Sequence, residues 1–376
     1  MRILYASERP PYPFFLGGAA RAAHMLLVRL AAMPGTTCEA VGAVDYAVTP
    51  WRFPPEEDWQ TLGVTRVDVA AAEVECGYPV RLLPDFYASL AVRIKRDRPD
   101  VVWSQLEGAL PVLRLAARLG VTGLCYVHDA EFDRAEMREI AALDCHLIAS
   151  SAFLAERVYR ATGRQPQVLY PPADLYFDTP GDPAGLVAMI NPHAVKGLDT
   201  VLEIARQRPA VSFLLQESWK LDAKARAALA ARMAELPNVR FAERVSDMRS
   251  VYRQARLLIA PSRWEEGFGM VALEAASCGI PVIASRRGGL PEAVGDGGIL
   301  IDAYQDVNAW LRALDDVLSS SSRYQTLADQ ARRHAASQRF SPDALAHRLA
   351  GILAAAPQRP SWLHRAVLLL KQRLNR

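Results

Sequence analysis

Short runs rich in β-branched and other apolar residues alternate with longer helical patterns along this chain. The alternation occurs twice, once on each side of a stretch dense in Pro, Asp and Gly. Alternation of this kind predicts parallel sheets, because parallel neighbours need a crossover and a helix is the usual one. In the first half the expected strands are Ile3–Ala6, Val64–Val69, Val101–Gln105, Gly123–His128 and His146–Ser150. In the second they are Leu186–Ile190, Ser212–Gln216, Val239–Ala242, Arg256–Ala260, Pro281–Ala284 and Gly298–Ile301. Between them, Tyr170–Pro183 (Y-P-P-A-D-L-Y-F-D-T-P-G-D-P) reads as an interdomain linker. The expected organisation is an N-terminal domain over 1–172, a linker over 173–184, a second domain over 185–340 and C-terminal helices over 341–376. Each domain is α/β and Rossmann-like. In such sheets ligands gather at the C-terminal ends of the strands, and two domains in series leave a cleft.

Composition excludes several classes. With 51% hydrophobic and 23% charged residues in 376, the chain is globular rather than disordered. Its net charge of +3 owes five cations to residues 359–376, which hold no Asp or Glu, so the remainder carries −2 and shows no basic signature for nucleic acid. The five cysteines are scattered without a C-x-x-C pair and read as reduced core thiols. No apolar run approaches the roughly 20 residues of a membrane span, and the short N-terminal run is too brief for a signal peptide. A cytoplasmic location is expected. From Trp362 to Leu374 apolar residues follow helical spacing with basic residues off that face, so this segment either packs back on the first domain or lies on an anionic membrane surface. Residues 45–63, with three prolines and two tryptophans, read as a surface loop.

Between Pro261 and Pro281 the chain reads P-S-R-W-E-E-G-F-G-M-V-A-L-E-A-A-S-C-G-I-P. Gly267 and Gly269 permit a tight turn with close approach of backbone to a ligand, and a helix start of this kind suits phosphate. Glu266 lies in the loop and Glu274 about one and a half turns into the helix, so the two reach different parts of one extended ligand. Glu274, set among apolar residues, needs a polar partner; Arg263, Arg286, Arg287 or a ligand would serve.

A second phosphate-binding candidate is Gly17-Gly18, after the first strand and before a helical run over Ala20–Ala32. It is not the G-x-G-x-x-G of nicotinamide enzymes, and no P-loop or G-x-S-x-G elbow exists in the chain. In the second domain, strand Leu186–Ile190 is followed by Asn191-Pro192-His193-Ala194-Val195-Lys196-Gly197 and a helix through Arg206. Lys196 near a helix N-terminus opposes the helix dipole, an arrangement suited to an intervening anion such as diphosphate. His128, at the end of a first-domain strand, would face the ligand side of its sheet. The spacing of His128, Asp129, Glu131 and Asp133 fits no metal-ligand pattern, and no metal and no cofactor are expected.

Taken together these motifs resemble the family-4 retaining glycosyltransferases (glycosyltransferase group 1) of GT-B fold, most closely from Asn191 to Ile301. The resemblance implies two Rossmann-like domains with parallel sheets facing across a cleft, and transfer of a sugar from a nucleotide-diphosphate sugar to a hydroxyl acceptor without a metal. It assigns Glu266 to the donor sugar and Glu274 to the ribose, with backbone amides of Phe268, Gly269 and Met270 meeting sugar and phosphate. It assigns Lys196 to the diphosphate, Gly18 beside Gly17 to the glycine loop near the phosphates, His128 to the sugar's surroundings and the Arg244 backbone to the base. Catalytic work would fall to Glu266, His128 and Lys196. One position departs: where the family often carries a diphosphate-binding arginine, this chain has Asn191, which supplies no charge, so either another cation such as Arg21 or Arg287 compensates or donor affinity is lower. The acceptor, a saccharide, lipid-linked saccharide or small molecule, would meet Tyr46–Gln60 and Tyr78–Tyr87. Two other readings share the nucleotide site: a GT-B sugar-nucleotide epimerase or hydrolase, and an inactive sugar-nucleotide-binding scaffold.

Overall fold

The computed structural model describes residues 1–46 and 52–357; the basic segment over 361–376 and part of the loop over 45–63 therefore lie outside the described residues. The chain divides into two compact units. One combines Met1–Pro172 with the chain from Ser341 onward, and the other spans Ala173–Phe340.

The first unit holds strands β1 (Arg2–Ala6), β2 (Thr37–Ala43), β3 (Arg66–Asp68), β4 (Glu73–Glu75), β5 (Pro79–Leu83), β6 (Val101–Gln105), β7 (Thr122–Val127), β8 (Cys145–Ala149) and β9 (Gln167–Val168). Its helices are α1 (Gly18–Ala31), α2 (Trp59–Leu62), α3 (Phe86–Asp97), α4 (Ala109–Arg118), α5 (Arg134–Ala142) and α6 (Ala152–Thr162). The sheet order is β3-β4-β5-β2-β1-β6-β7-β8-β9, parallel except that β3, β4 and β5 pair antiparallel. Side chains alternate across the sheet with period two: Ile3 and Tyr5 join the core under α1, while Leu4 and Ala6 join the core under α3 and α4. Both faces are covered, which is why strands such as V-V-W-S-Q (β6) are buried at every position.

The second unit carries β10 (Leu186–Ile190), β11 (Phe213–Gln216), β12 (Val239–Ala242), β13 (Ala255–Ala260), β14 (Val282–Ser285) and β15 (Gly298–Ile301). They are interleaved with α7 (Leu198–Gln207), α8 (Ala223–Met233), α9 (Arg249–Tyr252), α10 (Met270–Ser277), α11 (Leu290–Val294), α12 (Val307–Ser319) and α13 (Ser321–Ala335). The sheet is parallel throughout, in the order β12-β11-β10-β13-β14-β15. Strand order reverses between β10 and β13 here, and between β1 and β6 in the first unit. Those reversals mark the crevices where ligands bind in open parallel sheets.

The last described helix, α14 (Pro342–Ala354), packs on α1, and Leu345, Leu349 and Leu353 join the first unit's core. The segment read as a surface loop is partly folded in. Trp59–Leu62 forms a helical turn, Leu62 and Val64 are buried, Phe53 packs edge-on against Phe14 at 5.5 Å, and Trp59 Nε1 donates to the Pro54 carbonyl. The aromatic side chains gain more by covering the core than by facing water. All five cysteines are buried and free.

Candidate functional site

In the second unit, the loops after β10 and β13 meet at the switch point. Strand β10 is followed by Asn191, whose backbone takes a positive φ of 62°, a conformation asparagine tolerates better than most residues. A single 3-10 turn, Ala194–Lys196, follows; then Gly197, at φ 86°, starts α7. Lys196 Nζ lies 2.6 and 2.8 Å from the two carboxylate oxygens of Glu266, and Ser262 Oγ donates to the same carboxylate at 2.9 Å. The ion pair is largely sheltered, with side chains 14% and 17% exposed, so removing one partner strands a poorly solvated charge.

Glycines make this convergence possible. A Cβ on Gly197 would stand 2.0 Å from the Pro261 carbonyl oxygen, and one on Gly288 would stand 2.2 Å from that of Glu266. Only a residue without a side chain lets these backbones touch. The Val195 carbonyl accepts from the amides of Arg263 (2.9 Å) and Trp264 (3.1 Å), and the Glu266 carbonyl accepts from Gly289 (2.7 Å). Lys196 and Glu266 are thus carried by one knitted set of loops. Gly269, at φ 105°, starts α10 with no side-chain cap and no acidic residue in the first turn. The amides there, from Phe268 through Met270 onward, begin a helix with its positive dipole end unopposed.

Glu274 is 8% exposed, and its Oε2 accepts a 2.7 Å hydrogen bond from the hydroxyl of fully buried Tyr252. Burial first, and then the neighbouring carboxylate, push the Tyr252 phenol well up, so it stays a donor. Of the arginines suggested by the sequence, Arg263 meets Asp199 at 3.7 Å and Arg286 meets Asp302 at 2.7 Å. Arg287 meets Tyr304 at 3.0 Å and Glu265 at 3.8 Å, while Arg21 sits in α1 over the Tyr12 ring. One polar partner of Glu274 is thus a tyrosine that sequence reasoning did not weigh.

Arg244 follows β12. Its backbone takes part in a network around Glu217: burial raises this carboxyl, but hydrogen bonds from the Leu221 amide, Arg226 and the Arg244 backbone outweigh burial and hold it below the usual range. Gln216, the last residue of β11, donates to the Glu243 carbonyl at 2.7 Å.

The first unit contributes a neutral arrangement. Gly17, extended at φ −80° and ψ 155°, precedes α1, which starts at Gly18 with no side-chain cap and no acidic residue in its first turn. Gln105, buried at the end of β6, donates through Nε2 to the Ala19 carbonyl at 2.9 Å, and its Oε1 lies 3.1 Å from His128 Nε2. Gln105 thereby ties the glycine loop's helix to His128 and assigns the proton to Nε2 of the imidazole. The histidine ring, partly exposed at one edge and 4.1 Å from that of Tyr126, is pushed by burial down to about 3 and is neutral at neutral pH.

Of the expected acceptor-facing aromatics, Tyr87 donates to Glu8 at 2.9 Å and Tyr46 lies 3.4 Å from Arg9. Tyr78, just before β5, is a core residue, 2% exposed and hydrogen-bonded to His24. Sequence reasoning also passed over Ser262, Gln105, Trp219, His193 and Gly288. Polar residues closing otherwise apolar strands were the available signal for Gln105, and the R-R-G-G-L-P turn for Gly288.

The chain matches known proteins in sequence and in fold. Residues 186–334 match the family model for glycosyl transferases group 1. The D-inositol 3-phosphate glycosyltransferase of Salinispora arenicola (strain CNS-205) is 43% identical over 111 residues, covering 28% of this chain and 24% of that protein. The enzyme of the same name from Rhodococcus jostii (strain RHA1) is 30% identical over 234 residues, 53% of this chain and 50% of the relative. These alignments thus span about a quarter to a half of the curated relatives' length. Among solved structures, Anabaena Alr3699/HepE in complex with UDP-glucose superposes with a TM-score of 0.74 at 18% identity, over 94% of this chain and 99% of that one. WaaG, a glycosyltransferase involved in lipopolysaccharide biosynthesis, gives 0.66 at 16% identity, over 94% and 100%. The chain has the GT-B fold, and residues 186–334, in its second unit, match the group 1 glycosyl transferase model.

Proposed function

We propose that this protein is a retaining glycosyltransferase that moves a sugar from a nucleotide-diphosphate sugar to a hydroxyl acceptor, in glycan or glycolipid assembly at the cytoplasmic side. The observation that carries the reading is the sheltered Lys196–Glu266 pair at the β10/β13 switch point, beside the uncapped start of α10. In this reading Lys196 and the helix-start amides take the diphosphate, Glu266 turns to the sugar hydroxyls, and Glu274, oriented by Tyr252, meets the ribose. As the bond from the anomeric carbon to the phosphate oxygen breaks, negative charge grows on the leaving group, where Lys196 and the amides stabilise it. The acceptor oxygen bonds the anomeric carbon on the face the phosphate leaves, and its proton passes to a departing phosphate oxygen. Charge compensation here comes from Lys196 and backbone dipoles, so transfer is expected to survive chelation of divalent metals. His128, neutral and fixed by Gln105, would supply a hydrogen bond near the sugar rather than a charge.

UDP-glucose is the first donor to try, since the similar Anabaena structure holds it. Candidate acceptors include saccharides, lipid-linked saccharides and, from the name of the curated relatives, D-inositol 3-phosphate. The test is a transfer assay across UDP-, GDP-, ADP- and TDP-sugars. Lys196→Ala is expected to cost about 10²–10³-fold in kcat, and Glu266→Gln about as much, in protein that is still folded at the assay temperature but unfolds earlier than wild type, because each variant strands the other partner of a sheltered pair. Wild-type rates in both variants would sink the assignment. Turnover without acceptor would point to an epimerase or hydrolase, and donor binding without turnover to a scaffold.

A further inference from the structure

Trp219 has no role in the reading above, yet it stands beside the candidate anion-binding cation. It lies in the Glu217-Ser218-Trp219-Lys220 loop after β11 and is 46% exposed. Its ring centroid is 4.7 Å from Lys196 Nζ and 5.6 Å from the His193 ring, which it meets edge to face. Its amide donates to Asn191 Oδ1 at 2.5 Å. Asn191 therefore spends its side-chain acceptor on holding the Trp219 backbone. His193 Nε2 is buried and, among the described residues, has no hydrogen-bond partner.

Lys196 is held on one side by a carboxylate and on the other by an aromatic face. If a diphosphate binds Lys196 while Glu266 turns to a sugar, the ion pair must open. Ser262 remains with Glu266. The indole can remain with the ammonium, because a neutral ring does not compete with an incoming anion for charge. We infer that Trp219, set in place by Asn191, is a positioning residue that keeps Lys196 aimed at the anion site as its pair with Glu266 opens. This rests on the donor-site reading and makes Asn191 a strut for Trp219 rather than a phosphate ligand.

The test is calorimetric titration of the full chain with UDP and, separately, with inorganic pyrophosphate. Trp219→Leu is expected to weaken both by about tenfold, Trp219→Phe to restore most of the loss, and Asn191→Gly, which keeps the positive φ but lacks the acceptor, to behave like Trp219→Leu. In a Lys196→Ala background, Trp219→Leu should change UDP affinity less than about twofold, because its effect is routed through the lysine. Unchanged affinity in Trp219→Leu overturns the inference. A loss that persists without Lys196 also overturns it, since the ring would then contact the nucleotide itself. Wild-type protein that binds neither UDP nor pyrophosphate defeats the donor-site reading as well, an outcome distinct from wild-type binding with an indifferent Trp219→Leu.

Discussion

Helices after the central strands of each sheet begin differently from four of the helices nearer the flanks. Helices α1, α4, α7 and α10 follow β1, β6, β10 and β13, the four strands at the two reversals of strand order. They start on Gly17, Gly108, Gly197 and Gly269, with no side-chain cap. Helices α5, α6, α8 and α12 start on Asp133, Ser151, Asp222 and Asp306, each accepting from its own helix's first amides. A capped helix start has spent part of its donor capacity on the protein. In those four capped helices that capacity goes into stability, and at the centre it is left for something else to bind. The two units also differ in charge. The second presents Lys196 and Glu266, whereas the first presents a glutamine and a neutral histidine.

The comparison is open to attack at its strongest point, Gly197. A methyl group there meets the Pro261 carbonyl at 2.0 Å in a left-handed conformation, so Gly197→Ala should cost about 3 kcal/mol in chemical denaturation. A loss below 1 kcal/mol would show that the loops are not held together as described. Acid should next single out the first unit, where burial holds His24 and His128 at about 3, below their ordinary 6.5. Between these values the unfolded chain binds more protons than the folded one. Stability therefore falls as pH drops below about 6.5, by up to about 1.4 kcal/mol per pH unit for each histidine. Denaturation midpoints from pH 7 to 4.5 check this, and His128→Gln should flatten the slope. The smallest effects come from exchanging the two kinds of helix start. Gly17→Asp should lower transfer about tenfold, because a carboxylate takes the amides and repels the diphosphate, while its capping gain is offset by the Phe15 ring, which a Cβ there would meet at 2.4 Å. Asp133→Ala should lose about 1 kcal/mol and leave transfer unchanged. Equal transfer in both variants would remove the distinction.

The second sheet was legible in the sequence because its strands are near-continuous apolar runs: β10, β12 and β15 have the bounds the sequence predicts. The first sheet was less so. Strand β2, T-C-E-A-V-G-A, is poor in β-formers, and its Gly42 is packed so tightly that a Cβ would lie 2.5 Å from Pro11. Strand β4 buries Glu73, which reads as a loop residue until Arg66 and Arg81 are placed beside it. At the site, local motifs singled out Lys196 and Glu266 separately. Their pairing across 70 positions, and the supports from Ser262, Gln105 and Trp219, depend on tertiary convergence that no local motif encodes.

The return of α14 to the first unit bears on how the protein is made. On the ribosome, residues 173–340 form an uninterrupted unit that has all its own strands before the last helix is synthesised. The unit begun first is finished last, since Leu345, Leu349 and Leu353 complete a core that also contains Ile3 and Tyr5. Until they emerge, α1 exposes an apolar face to the cell. Early termination before Ser341 would therefore leave the older part of the chain, not the newer, as the substrate for chaperones and proteases.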